Sequence, residues 1–386
     1  MNTRPVIDSS SGPYVLSVSF NADNSCFSVA LDDGFRVYSA KSGDLQLARK
    51  IDGGIGLAEM LGTTNYLALA NRGKPPHKSV KPDGPPGPSD WVYVDADRHQ
   101  LCIWNETSQR VAVTLEFKTP ILRVRITQTH LIVALLNSVS IYKMKIPLEK
   151  IEQYETVDNR FGICCLGKTV ALFPGITPGQ VKLYDLATKH MRIIPAHDTA
   201  LRALTLSPKE DMVATASKKG TIIRVWSASD CTKVTEFRRG IDLATILSMA
   251  LSPNGKMLAA ASDKSTLHIF DLSSPKPDSQ THKWGVLAKV PMLPRYFSDA
   301  HPAISVKFEI GDEPSSRTLS RAMATGSIPP ILPAGGPTKG LVGWVNDDTL
   351  LVLGAGYDAR WERFRVGVNT DGHQVVYRDG WKRYLE

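Results

Sequence analysis

The stretch that decides the fold is LTLSP at residues 204–208, which recurs as MALSP at residues 249–253. At the same offset, ATAS at 214–217 recurs as AAAS at 259–262. Each copy contains short runs of alternating apolar and polar residues between Gly, Asn and Asp, a pattern typical of half-buried β-strands joined by tight turns. A period of about 40–45 residues with four strands per unit indicates the blades of a β-propeller.

Units of this kind can be counted along all 386 residues, and the count predicts seven blades. The predicted blades span residues 15–50, 55–117, 120–156, 160–195, 200–239, 245–309 and 340–380. Seven blades of about 50 residues account for the length without a second domain. We therefore predict an all-β protein, a single seven-bladed β-propeller of WD40-like four-stranded blades. Stacking around a ring covers the faces that a lone blade would expose.

Several stretches interrupt the repeat. Residues 72–90 are rich in proline and predict an exposed loop in blade two, whereas residues 273–302 separate the third and fourth strands of blade six. Residues 312–340 are rich in Pro, Gly and Ser and predict a mobile insertion. After Thr221 the copies in blades five and six differ by one residue, so we expect a bulge in one third strand that re-aims Arg224.

The composition excludes several classes of protein. The net charge is +8, from 46 Lys and Arg against 38 Asp and Glu, without a block of like charges that would indicate nucleic-acid binding. No apolar run approaches the ~18 residues of a membrane span, and the N-terminus lacks an apolar signal, so we expect a cytoplasmic protein. Five cysteines without metal-ligand spacing predict neither a metal site nor a cofactor. No catalytic motif is present, so we do not expect an enzyme.

The stretch EFRRG at 236–240 falls at the end of the last strand of blade five. Successive side chains of a strand point to opposite faces, so Arg238 and Arg239 should enter different grooves. Hydroxyls, histidines and cations accompany them: His197, Ser217, Thr221 and Arg224 near blade five, and Ser262, Lys264, Thr266 and His268 in blade six. This composition is typical of phosphate binding, although the histidines and hydroxyls could also serve structural roles.

FRRG at 237–240 resembles the (Phe/Leu)-Arg-Arg-Gly motif of the PROPPIN or WIPI propellers. Further segments resemble the family in the same order: NYLAL at 65–69, LFPG at 172–175, PAH at 195–197, ATAS at 214–217 with GTIIR at 220–224, and LPRYFS at 293–298. The resemblance covers residues 15–310 well and blade seven loosely. It is closest to the WIPI-three and WIPI-four branch.

The resemblance implies a non-enzymatic effector that binds phosphatidylinositol 3-phosphate and 3,5-bisphosphate at two rim sites and recruits autophagy machinery to membranes. Carried over by position, site one consists of His197, Ser217, Thr221, Arg224 and Arg238. Site two consists of Arg239, Ser262, Lys264, Thr266 and His268. Leu243 stands where many members have a basic residue, and Leu247 replaces an aromatic residue. Site two is therefore expected to be weaker or to discriminate head groups differently.

The segment 273–302 combines apolar and aromatic residues with cations, a composition that suits insertion into an anionic membrane interface. The expected membrane-contact residues are Trp284, Leu287, Met292, Leu293, Tyr296 and Phe297. Packing of these residues back onto the propeller is the alternative. If His197 or His268 contacts phosphate, an ordinary histidine pKa near ~6.5 predicts affinity that rises from about pH 8 to about pH 6.

The resemblance also implies a partner, a lipid-transfer protein of the autophagy machinery that contacts blades two and three. We expect a monomer in solution that is peripheral on preautophagosomal, endosomal or vacuolar membranes. The alternative is a propeller scaffold that binds only proteins through its rim. The Arg238–Arg239 pair favours the phosphoinositide effector, because a pure scaffold does not need it.

Overall fold

A computed structural model describes residues 13–70, 99–145, 147–273, 304–309, 339–356 and 359–386. Within these ranges the chain forms 28 strands in seven four-stranded antiparallel sheets and no helix. The prediction of an all-β, seven-bladed β-propeller is confirmed. No helix long and apolar enough to span a membrane occurs in the same ranges.

The sheets follow one another along the chain. Blade one contains β1 (Val15–Phe20), β2 (Cys26–Leu31), β3 (Gly34–Ser39) and β4 (Leu45–Lys50). Blade two contains β5 (Leu57–Met60), β6 (Tyr66–Ala70), β7 (Gln100–Asn105) and β8 (Arg110–Glu116). Blade three contains β9 (Arg123–Ile126), β10 (His130–Ala134), β11 (Ser138–Lys143) and β12 (Glu149–Glu155). Blade four contains β13 (Cys165–Leu166), β14 (Val170–Pro174), β15 (Gln180–Asp185) and β16 (Met191–Pro195).

The remaining three blades have the same order of strands. Blade five contains β17 (Leu201–Leu206), β18 (Met212–Ser217), β19 (Ile222–Ser227) and β20 (Lys233–Arg238). Blade six contains β21 (Ile246–Leu251), β22 (Met257–Ser262), β23 (Thr266–Asp271) and β24 (Ile304–Lys307). Blade seven contains β25 (Leu341–Trp344), β26 (Thr349–Leu353), β27 (Arg360–Val368) and β28 (Gln374–Arg383).

Burial within each blade follows the stacking of the sheets. The second strands are apolar on both faces; β14 is buried along its whole length. The fourth strands lie outermost, and β8 alternates between exposed and partly buried residues. Phe237 of blade five packs against Phe270 of blade six with ring centroids 4.9 Å apart. Because each blade supplies the apolar cover of the next, the core is a series of clusters between blades.

The one-residue difference between blades five and six lies in a turn. Ala216 pairs with Ile223 in blade five, and Ala261 pairs with Leu267 in blade six. The additional residue therefore falls in the β18–β19 turn, and the pairing of β18 with β19 is regular at Arg224. The expected bulge at that position is wrong. A turn takes up an extra residue more easily, because no ladder hydrogen bond is lost there.

The ring closes without a strand shared between the two ends of the chain. Val15 and Gly356 exchange two backbone hydrogen bonds of 3.2 and 3.0 Å. Trp361 Nε1 of blade seven donates to the Ala40 carbonyl at 2.9 Å. The Tyr384 ring packs among aromatic rings of blade one, with its centroid 5.4 Å from that of Phe27. One backbone bridge and side-chain contacts therefore hold blade seven against blade one.

The first strands of the blades line a central cavity of about 370 Å³. Arg125 Nη1 of blade three donates to Glu59 Oε1 of blade two at 2.7 Å and to Ser19 Oγ of blade one at 2.9 Å. This ion pair links three consecutive blades across the cavity.

Candidate functional site

The end of β20 places the two arginines of the RRG motif on different sides. Arg238 pairs with Ile222 and has the same strand parity as Glu236, whereas Phe237 points the opposite way into the core between blades five and six. Arg239 follows on the side of blade six, where its charge interacts with those of Asp263 and His268. Alternation along the strand thus directs the two guanidinium groups apart.

Arg224 of β19 lies on the same face as Glu236 and is already engaged. Its Nε donates to Glu236 Oε2 at 2.7 Å, and its Nη1 donates to the Ala196 carbonyl at 2.7 Å. Burial raises the pKa of the Glu236 carboxyl, but the hydrogen bond and charge of Arg224 outweigh this and lower the pKa below its ordinary value. Any anion that binds Arg224 must therefore compete with this carboxylate.

His197 lies where the chain passes from blade four to blade five. Its Nε2 is 3.0 Å from Thr215 Oγ1, which also accepts a hydrogen bond of 3.0 Å from Trp226 Nε1. Burial and the nearby charge of Arg224 lower the pKa of His197 to about 4. In the unliganded protein the imidazole is therefore neutral near neutral pH.

Ser217 and Thr221 belong to the β18–β19 turn. Gly220 N donates to the Ser217 carbonyl at 3.0 Å, and Arg239 N donates to the Thr221 carbonyl at 2.9 Å. Arg239 Nε donates to the Gly220 carbonyl at 2.6 Å, and its Nη2 donates to the Asp242 carbonyl. Arg239 therefore holds this turn against the segment that leads to blade six.

The blade-six residues surround the tight β22–β23 turn. Ser262 is buried and its Oγ donates to the Thr266 carbonyl at 3.4 Å, while Thr266 Oγ1 donates to the Lys264 carbonyl at 3.1 Å. Both hydroxyls thus serve the turn, and Lys264 is exposed. On β23, burial and the charge of Arg239 lower the pKa of His268 to about 4.

These two pKa shifts set a condition on one expectation. Both histidines are uncharged from about pH 8 to about pH 6 in the unliganded protein, so affinity rises across that range only if bound phosphate raises their pKa values. The sequence pattern gave no sign of this, because the burial of each ring depends on how neighbouring blades pack.

Three features of this rim do not appear among the sequence-based candidates. Glu236 is the partner of Arg224, and Lys218 and Lys219 are exposed beside the arginines. Ile241 and Leu243 are large apolar residues that remain exposed next to the RRG motif. The exposed apolar pair could have been found in the sequence from the hydropathy of residues 241–243.

The expected membrane-contact residues Trp284, Leu287, Met292, Leu293, Tyr296 and Phe297 lie outside the described residues. The same applies to the proline-rich loop 72–90, to nearly all of 273–302 and to most of 312–340. The candidate site that the structure describes is therefore the rim from His197 to His268.

The fold defines the class of protein, a seven-bladed WD40-like β-propeller with a cationic rim on blades five and six. The PROPPIN family model matches residues 94–298, and the chain belongs to the PROPPIN family, phosphoinositide-binding propellers related to autophagy proteins.

Named relatives support the same assignment, and a solved structure shares the fold. The chain is 42% identical to SVP1-like protein 2 of Emericella nidulans, over 84% of this chain and 99% of the relative. It is 31% identical to autophagy-related protein 18e of Arabidopsis thaliana, over 94% of this chain and 86% of the relative. The crystal structure of Kluyvelomyces marxianus Hsv2 superposes with a TM-score of 0.71 at 20% identity, over 97% of this chain and 99% of that chain.

Proposed function

We propose that this propeller binds phosphatidylinositol 3-phosphate and 3,5-bisphosphate through two rim sites and thereby recruits autophagy machinery to membranes. The observation that carries the proposal is the divergence of Arg238 and Arg239 from one strand end toward two different surfaces. Each surface has a histidine and a second cation, Arg224 in one case and Lys264 in the other.

In site one, Arg238 and Arg224 supply the cations, and Glu236 and the Ala196 carbonyl already bind Arg224. When a phosphate displaces Glu236, the guanidinium of Arg224 becomes available to bind it. The ion pair between Arg224 and Glu236 is lost in the exchange. Ser217 and Thr221 belong to the adjacent turn and supply neutral donors, and His197 supplies an imidazole.

In site two, Arg239 has two roles. Its Nε and Nη2 hold the carbonyls of Gly220 and Asp242, which leaves Nη1 for a phosphate. Lys264 adds an exposed point charge, His268 supplies a neutral imidazole, and Ser262 and Thr266 shape the turn that presents Lys264.

Liposome flotation with and without a 3-phosphorylated lipid tests the proposal. Arg238→Thr with Arg239→Thr should abolish the lipid-dependent shift, whereas Arg110→Thr with Arg365→Thr, which removes the same charge from blades two and seven, should not. Unaltered binding by the first variant would favour the protein-binding scaffold.

A head-group titration with soluble inositol 1,3-bisphosphate counts the sites. We expect two ligands per chain in the natural protein and one in each of Arg238→Thr and Arg239→Thr. A stoichiometry of one that only one of these substitutions removes would assign the binding to a single site.

We further propose that blades two and three contact an autophagy lipid-transfer protein and that the propeller acts as a monomer on preautophagosomal, endosomal or vacuolar membranes. The outer strand β12 offers exposed Glu149 and Glu152 to such a partner. Glu149→Lys with Glu152→Lys should weaken co-precipitation of that partner while leaving liposome flotation intact. Equal recovery of the partner with both proteins would place the contact elsewhere.

A further inference from the structure

Two large apolar side chains beside the RRG motif point into solvent. Ile241 is 74% exposed and Leu243 is 67% exposed, and Ile241 is the most exposed large hydrophobic residue in the described part of the chain. Both belong to the segment that connects β20 of blade five to β21 of blade six. Paired exposure of this kind next to a cationic rim marks a surface that contacts something apolar.

The backbone of this segment is fixed. Arg239 Nη2 binds the Asp242 carbonyl, and Ala244 N donates to the Lys219 carbonyl at 3.3 Å. Ala244 itself is buried. Because both ends are tied to the β18–β19 turn, residues 241–243 are held in place at the surface with their apolar side chains exposed.

The charges around the pair are mainly positive. Exposed Lys218, Lys219 and Lys264 lie on the neighbouring turns, and partly exposed Arg239 lies at the start of the segment itself. The acidic residues of the same surface are Asp242 and Asp263, and Asp263 Oδ1 accepts a hydrogen bond of 3.0 Å from Thr245 N. Apolar side chains bordered by lysine and arginine are complementary to the interface of an anionic bilayer, where lipid head groups meet acyl chains.

We propose that Ile241 and Leu243 insert into the interface of an anionic membrane and form a fixed anchor beside site two. This inference rests on the proposed function, because a head group in site two would bring the segment to the bilayer. The anchor consists of described residues and does not include the segment 273–302.

The test is Ile241→Asp with Leu243→Asp. The single variant Leu243→Asp is measured beside it, with Val368→Asp as its matched control, because Val368 is also 67% exposed but lies on blade seven. Binding is measured to vesicles of phosphatidylcholine, phosphatidylserine and phosphatidylinositol 3-phosphate, and separately to soluble inositol 1,3-bisphosphate. Thermal unfolding confirms that each variant is folded.

We expect at least a tenfold loss of vesicle affinity, of the order given by burial of one large aliphatic side chain, and head-group affinity within about twofold of the natural protein. The conservative variant Ile241→Leu with Leu243→Ile should keep vesicle binding. Vesicle affinity that the double Asp variant retains overturns the anchor and leaves the proposed function standing.

Equal loss for vesicles and soluble head group also overturns the anchor, because the segment would then act only by shaping site two. If the natural protein forms a dimer that the double Asp variant abolishes, while vesicle binding is unchanged, the apolar pair is a protein interface. If the natural protein binds neither vesicles nor head group, the proposed function itself fails, and the anchor fails with it.

Discussion

Acidification should destabilise the junctions around blade five through two partly buried histidines. The folded protein holds the pKa of His197 and of His268 at about 4, against an ordinary value of 6.5. Between about pH 7 and about pH 5 the unfolded chain takes up about 0.7 of a proton at each position, whereas the folded protein takes up about a tenth of one. The contribution of the two neutral histidines to the stability of the fold is therefore fully present above the ordinary histidine pKa. This contribution is lost as the pH falls below that value.

The expected loss is about 2 kcal/mol for each histidine across this range. Arg224 opposes protonation of His197 and Glu236 favours it, whereas Arg239 opposes protonation of His268. In urea unfolding, His197→Gln with His268→Gln should lose about 4 kcal/mol less than the natural protein when the pH is lowered. His190→Gln, at an exposed histidine, should behave like the natural protein.

Carbon-13 NMR of the histidine Cε1 positions gives the two pKa values directly. If His197 titrates near 6.5, or if the double variant keeps the pH dependence of the natural protein, the argument from burial is refuted. A phosphate bound beside either ring would favour the imidazolium, so head-group binding near pH 5.5 should take up protons. Calorimetry in buffers of different ionisation enthalpy measures that uptake.

Three further predictions concern other contacts. Glu236→Gln should raise head-group affinity at site one severalfold, because a carboxylate no longer competes for Arg224; weaker binding in the titration would show that Glu236 positions the guanidinium. Arg125→Met should lower the free energy of unfolding in urea by about 3–5 kcal/mol, because it leaves Glu59 without its counter-charge. Arg125→Met with Glu59→Gln should lower it less. Tyr384→Ala should lower the free energy of unfolding by about 3–5 kcal/mol, because it leaves a cavity between blades one and seven. A loss below about 1 kcal/mol would show that the two blades pack together without that ring.

The fold could be predicted from the sequence because the strand pattern that indicates it is local and repeated. Alternation within LTLSP and MALSP marks the first strand of a blade, and recurrence at one offset marks the ring. The position of the extra residue near Arg224 could not be predicted, because the sequence alone does not determine which residues pair between β18 and β19. Hydrogen-bond register decides whether an insertion lies in a turn or in a strand.

Part of the candidate site could be predicted from the sequence for the same reason. The divergence of Arg238 and Arg239 follows from the strand period of two. The ion pair of Arg224 with Glu236 joins residues on neighbouring strands, so its recognition needs the pairing of β19 with β20. The lowered pKa values of His197 and His268 need the packing of adjacent blades, which no single segment encodes.

The manner of ring closure has a consequence for how the chain reaches its native state. Every blade is made from one continuous piece of the polypeptide, so blade one can complete its hydrogen bonding during synthesis without a strand from the distant end. Circular permutants with new termini in the connection between any two blades should likewise keep all seven sheets whole. In such permutants the junction at Trp361 and Tyr384 becomes an internal one, and the two chain ends meet between a different pair of blades.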